Sequence, residues 1–152
     1  MGRSRGGYGS KFHLVTDGNG TPLAVEVTAG QVHESTQVEA VMDQIAIPQR
    51  LGPPRKRPER LAGDKAYRCK RVRDWLWKYG IRAVIPSKSN EKAKPGPPAA
   101  FDQEAYKQRS IIENCVGWLK ECRRIATRFE KLAVNYLGML KLAMIERYLR
   151  LL

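Results

Sequence analysis

The sequence predicts a single α/β domain, a mixed β-sheet with flanking helices. Three observations carry that prediction. Two β-prone runs, 11–16 (KFHLVT) and 22–28 (PLAVEVT), flank Asp17-Gly18-Asn19-Gly20, a tetrapeptide suited to the positive-φ positions of a tight hairpin. Two later β-prone runs, 60–63 and 81–86, are separated by a helical pattern, the arrangement of a parallel pair joined by a crossover. Helical periodicity fills the last third of the chain. A length of 152 residues suffices for one domain with its own core and is short for two.

Each element has its own local reason. The opening GRSRGGYGS sets Arg3 and Arg5 among glycines and reads as no strand. After the hairpin, Val38, Val41, Met42 and Ile45 recur at helical intervals, with Thr36 and Glu39 at capping-box spacing. The stretch 48–60 (PQRLGPPRKRPER) is a proline-rich basic connector. Its Arg55-Lys56-Arg57 run fits a solvated tail and a DNA-backbone contact equally well. A short strand over 60–63 ends at Asp64. CKRVRDWLWKYG follows as a helix closed by Gly80. Trp75 and Trp77, two apart, cannot share a face, so one of them belongs to the core. IRAVIP is a strand stopped by Pro86, and SKSNEKAKPGPP has a mobile loop's composition, with Lys88 to Lys94 open to the same two readings as the earlier basic run. Asp102 caps a long helix, and NYLGMLKLAMIERYLRLL ends the chain as another. The order β-β-α-β-α-β-α-α lacks a strand to join its antiparallel and parallel halves. The expectation is a sheet without its first, central strand, in a chain that begins inside a domain.

Charge is the unusual bulk property: 28 Lys and Arg against 15 Asp and Glu give +13. A field of that sign attracts polyanions and points to nucleic acid before acidic proteins or membrane surfaces. The three cysteines, Cys69, Cys115 and Cys122, form no C-x-x-C pair, which fits a reduced compartment and argues against structural zinc. The N-terminus has no apolar signal region, and Lys141, Glu146 and Arg147 interrupt the most apolar helix. These features predict a soluble, cytoplasmic protein with no membrane partner.

The candidate chemistry lies in YKQRSIIENCVGWLK, 106–120. Tyr106, Arg109, Glu113 and Lys120 share an arc of roughly 60° on an ideal helix. Ile112, Val116 and Leu119 border that arc, which predicts Glu113 at the rim of the core. The plain alternative is a surface Glu paired with Arg109. Asp64, at the C-terminal end of a strand, stands where open α/β sheets place ligand sites, and it would serve equally as a helix N-cap. A strand-end Asp and a helix-borne Glu are oxygen donors of the kind hard divalent ions take. Two metals would need a third carboxylate. Asp17 reads as a turn residue, Asp43 and Asp74 as solvated, and His13 and His33 as core or turn hydrogen-bonders.

Tyr106, Arg109, Glu113 and Lys120 at this spacing resemble the Y-R-E-K signature of bacterial insertion-sequence transposases, in particular the group called insertion-sequence family five. The block GRSRGGYGSKFHLVTDGNGTPLAVEVTAGQVHEST, the block LAGDKAY and the block CRRIATRFEKLAVNYLGMLKLAMI resemble the same family in the same order. The resemblance implies an RNase H-like fold carrying a DDE triad. Asp64 would be its second acid and Glu113 its third, with Tyr106, Arg109 and Lys120 lining the site and Mg²⁺ or Mn²⁺ as cofactor. The family's first Asp stands ahead of the GRSRGG block, so residues 1–152 would form a partial catalytic domain, inactive alone. The implied partners are terminal inverted repeats and target DNA, a second copy of the chain in a synaptic complex, and an upstream reading-frame product. Two rival readings stand beside it. One is a non-catalytic DNA-binding fragment or dominant-negative inhibitor, and the other is a metal-dependent nuclease that does not join DNA.

Overall fold

The structure, a computed structural model, describes residues 2–4, 7–87 and 101–151. Its centre is the predicted hairpin, β2 (Gly7–Thr16) and β3 (Pro22–Ala29), antiparallel with Phe12 opposite Val27 and Leu14 opposite Val25. Asp17 closes the turn as the residue types require. Its Oδ1 accepts the N–H groups of Asn19 and Thr21, each at 2.8 Å. Gly20 sits at φ 81°, and a Cβ there would lie 3.1 Å from the Ile111 side chain.

The glycine-rich opening departs from expectation. Gly2–Ser4 forms a short strand, β1, antiparallel to the start of β2. Main-chain pairing needs no apolar pattern, so an Arg-Gly segment can join a ladder that its side chains do not advertise. This strand does not link the two halves of the fold. Among the described residues, β1-β2-β3 is one sheet and β4 (Arg60–Ala62) with β5 (Arg82–Val84) is a second, parallel one. The predicted single mixed sheet is therefore two small sheets, and among the described residues Lys11–Thr16 of β2 pair on the β3 side alone.

Strand alternation distributes the core. Val15 and Ala24 face a cluster with Val41, Met42 and Ile45 around α1 (Val38–Asp43), with Val72, Trp75 and Leu76 of α2 (Lys70–Lys78), and with Ile81 and Ile85. Phe12, Leu14, Val25 and Val27 face the opposite cluster of Leu119, Ile125, Tyr136, Leu140, Ala143 and Met144. The hairpin is thus a middle layer with helices on both sides. Among the described residues, four helices follow residue 101 in the chain. The first, α3 (Gln103–Lys107), is short, and the second cluster is built by α4 (Ser110–Glu121), α5 (Arg123–Ala126) and α6 (Ala133–Leu149). The far side of α6 leaves Leu142, Ile145 and Leu149 exposed.

Local signals were met unevenly. Helix α2 ends as Gly80 predicts: at φ 65° its N–H reaches Trp77 O, and the Ile81 N–H reaches Leu76 O, the paired bonds of a Schellman motif. The Thr36/Glu39 capping box is absent. Glu34–Thr36 forms a 3-10 turn, Thr36 Oγ1 donates to His33 O, and α1 starts at Val38 without a side-chain cap. The long helix predicted after Asp102 is divided into α3 and α4. Bonds from the Arg109, Ile111 and Ile112 N–H groups to carbonyls three residues back tighten the chain at the joint. The loop SKSNEKAKPGPP, with its Lys88 to Lys94 run, falls outside the described residues beyond Ser87.

Candidate active site

Asp64 is placed by the parallel sheet. The Gly63 N–H donates to Val84 O at 3.2 Å, carrying the β4–β5 ladder one residue past β4, and Asp64 follows directly. Gly63 also lets the Tyr67 ring lie against the main chain, since a Cβ would meet that ring at 3.2 Å. The carboxylate of Asp64 accepts the Ala66 N–H at 2.8 Å and caps the 3-10 turn Lys65–Tyr67. That turn packs on the Glu34–Thr36 turn, whose Glu34 pairs with Lys11 Nζ at 3.0 Å. Burial first, and then the negative charges of Glu34 and Asp64, push the Tyr67 hydroxyl up to about 12. Sequence spacing does not link Glu34 to Asp64, because their proximity depends on two turns meeting in space.

Glu113 is placed by α4. Its Oε1 pairs with Arg109 Nη2 at 2.7 Å, and the Arg109 guanidinium lies 5.6 Å from the Tyr106 ring centroid. Tyr106 also packs at a tilt against Phe101, centroids 5.3 Å apart. Tyr106, Arg109 and Glu113 therefore form one continuous contact chain across the α3–α4 joint. Lys120 is exposed on the same side of α4, about 10 Å further along the axis. The rim prediction needs correction. The buried line of α4 is Cys115 and Leu119, not Ile112, Val116 and Leu119, and the Glu113 side chain is 56% exposed. A free cysteine packs as a small hydrophobe, and this rotates the helix so that the stripe faces outward.

The two arms are tied together, but not at their acids. Asp102 caps α3 through the Ala105 N–H and pairs with Arg60 Nη1 at 3.4 Å. This fixes the start of α3 beside the start of β4, while Asp64 lies about 13 Å of strand further on. Asp64 and Glu113 share no hydrogen bond or ion pair. Among the described residues, no three His, Cys, Asp or Glu side chains converge as a metal-binding group. Both acids are oxygen donors of the right type, yet each is partly engaged, Asp64 by a backbone N–H and Glu113 by a guanidinium. The pair alone does not make a complete two-metal site.

Other candidates occupy plainer roles. His13 is buried and shares a 2.7 Å hydrogen bond with Thr28 Oγ1, while His33 Nδ1 caps the turn at Ser35. Trp75 is core and Trp77 is exposed. Asp43 and Asp74 are exposed, as expected of solvated carboxylates, and each also forms an ion pair, with Arg57 and Lys70 respectively. No helix among the described residues is long and apolar enough to cross a membrane.

Comparison with known proteins decides the family. Residues 1–145 match the family described as the transposase DDE domain. The chain belongs to that family. It is 36% identical over 135 residues to a protein of Burkholderia cepacia named as transposase for insertion sequence element IS402. That match covers 88% of this DDE-domain chain and 60% of the relative, so the chain spans about three fifths of that protein's length. It is also 28% identical over 141 residues to a protein of Brucella ovis named as transposase for insertion sequence element IS6501, covering 93% of this chain and 98% of the other. No solved structure matches it.

Proposed function

We propose that this DDE-domain chain supplies the later part of an RNase H-like transposase centre, acting on DNA phosphodiesters at the terminal repeats of an insertion sequence. The observation that carries the reading is the position of Asp64, immediately beyond the C-terminal end of a strand in a parallel pair, in a chain of this family. Asp64 and Glu113 would be two of the three acids, and Mg²⁺ or Mn²⁺ the cofactor the family implies. The third acid would come from the segment that the resemblance places ahead of the GRSRGG block, as an upstream reading-frame product or fused to it. Arg109 and Lys120 would neutralise phosphate oxygens, and Tyr106 would hydrogen-bond beside the scissile group. Target DNA, pairing of two copies in a synaptic complex and a nucleoid location complete the proposal.

Cleavage and strand transfer on DNA carrying the element's ends, assayed with Mn²⁺, test it. The 152-residue chain alone is expected to be inactive, and the chain joined to the upstream segment active. Asp64→Asn and Glu113→Gln should each abolish that activity. Cleavage by the chain alone that Asp64→Ala removes would overturn the need for an upstream acid. Joining of a 3′-hydroxyl to target separates transposition from simple hydrolysis.

The cap on Asp64 and the ion pair on Glu113 favour a second reading, DNA binding without catalysis. On that reading Glu113→Gln leaves binding unchanged, and the fused product cuts nothing.

A further inference from the structure

Helix α2 carries its buried residues, Val72, Trp75 and Leu76, on one face. The other face presents Lys70, Arg73, Asp74, Trp77 and Lys78, at the i, i+3, i+4, i+7, i+8 spacing of a solvent stripe. Trp77 is anomalous there, an indole 86% exposed within a polar row. Lys70 is paired to Asp74, but Arg73 and Lys78 have no carboxylate partner among the described residues. The row is about 12 Å long, the rise of roughly three nucleotide steps.

We infer that this outer face of α2 binds unpaired DNA, with the Trp77 indole stacking on a nucleobase while Arg73 and Lys78 meet the flanking phosphates. The composition decides between partners. Protein interface cores exclude lysine and surround a tryptophan with apolar or neutral groups. Here cations bracket the ring, as in single-strand sites that pair an aromatic platform with backbone-tracking charge. The net charge of +13 complements a polyanion. A paired base keeps its faces stacked on its neighbours, so the indole recognises only an unpaired one. Asp74, at the middle of the row and three residues from Trp77, opposes phosphate, and its pairing with Lys70 offsets that opposition. This face shares with the proposed function the reading that DNA is the partner, and it uses neither Asp64 nor Glu113.

Fluorescence titration of the full chain tests it, because Trp75 is buried, Trp118 half-buried and Trp77 open. Oligothymidylate should quench the exposed indole, and the quenching should disappear in Trp77→Ala. By anisotropy, Trp77→Ala should weaken oligothymidylate binding roughly five- to a hundredfold and duplex binding less than about twofold, while Trp77→Phe retains most of the affinity. Arg73→Glu should weaken both. Circular dichroism confirms that each variant is folded. Unchanged oligothymidylate affinity in Trp77→Ala overturns the inference, and so does an equal loss for duplex. An altered molar mass with unaltered DNA affinity would also overturn it, marking the patch as a protein contact. The titrations run in chelator, so a failure of the metal-dependent reading leaves their result intact.

Discussion

Arg57 lies in a run, RKRPER, whose composition fits a solvated tail and a DNA-backbone contact equally well, yet its guanidinium sits 4.5 Å from the Tyr79 ring centroid and 5.2 Å from that of Trp75. It pairs with Asp43 at 2.5 Å and donates to Met42 O at 3.1 Å, so one side chain ties the connector to α1 and α2. Arg57→Ala should cost about 2 kcal/mol in urea unfolding, and Arg57→Lys should not restore it, because an ammonium cannot stack and fork together. His13 gives the second residue-scale prediction. Burial first, and then the Lys11 ammonium, hold its imidazole below the usual 6.5. Above pH 6.5 folded and unfolded chains both keep it neutral, and its contribution is fully present. As pH falls through 6.5 the unfolded chain takes up a proton that the folded chain refuses. Stability is therefore lost down to the folded value, at up to about 1.4 kcal/mol per pH unit. Comparing unfolding free energies at neutral and at about pH 5.5, His13→Gln should lose less than the parent protein. Single-residue roles were legible where the partner is local, as for the Asp17 turn or the Arg109–Glu113 pair. They were hidden where the partner is distant, as for Arg57 and Glu34, while His13 was legible as a core hydrogen-bonder though its Thr28 partner was not.

At the scale of elements, the turn glycines separate conformational strain from crowding. Gly80 (φ 65°) has nothing within 4 Å of the place a methyl group would take, whereas Gly20 (φ 81°) faces Ile111 at 3.1 Å. Gly80→Ala should cost about 1 kcal/mol, the left-handed penalty alone. Gly20→Ala should cost more, about 2 kcal/mol, because α4 must also shift. Chemical denaturation of the two variants side by side checks the order. Reversal would mean that α4 yields freely and that the hairpin turn does not position it. Element existence was readable because hairpin, crossover helix and C-cap each rest on a short-range rule. The division of the helix after Asp102 was not, since YKQRS has no proline or glycine to mark it. The outward turn of Glu113 was missed because Cys115, not Ile112, leads the buried line.

For the whole molecule, the two-sided packing of the hairpin follows from strand alternation, but the separation into two sheets does not. Sheet closure depends on which strands meet, and no local pattern encodes that. The global charge does carry a consequence. Many cations are committed to ion pairs, among them Lys11, Arg57, Arg60, Lys70, Arg71, Lys107 and Arg109, and a committed side chain is less available to phosphate. An excess of +13 nevertheless remains after such pairing, because each pair removes one charge of either sign. Duplex binding by the full chain should therefore be steep in salt. A footprint neutralising about six phosphates gives a slope near −5 in log K against log salt and a loss on the order of a thousandfold between 50 and 200 mM. Lys120→Ala and Arg73→Ala should each flatten the slope by about one unit if both faces touch duplex backbone. Asp64→Asn, which touches no phosphate in its capping position, should leave the slope unaltered. A slope near zero in anisotropy titrations would remove DNA as the proposed partner.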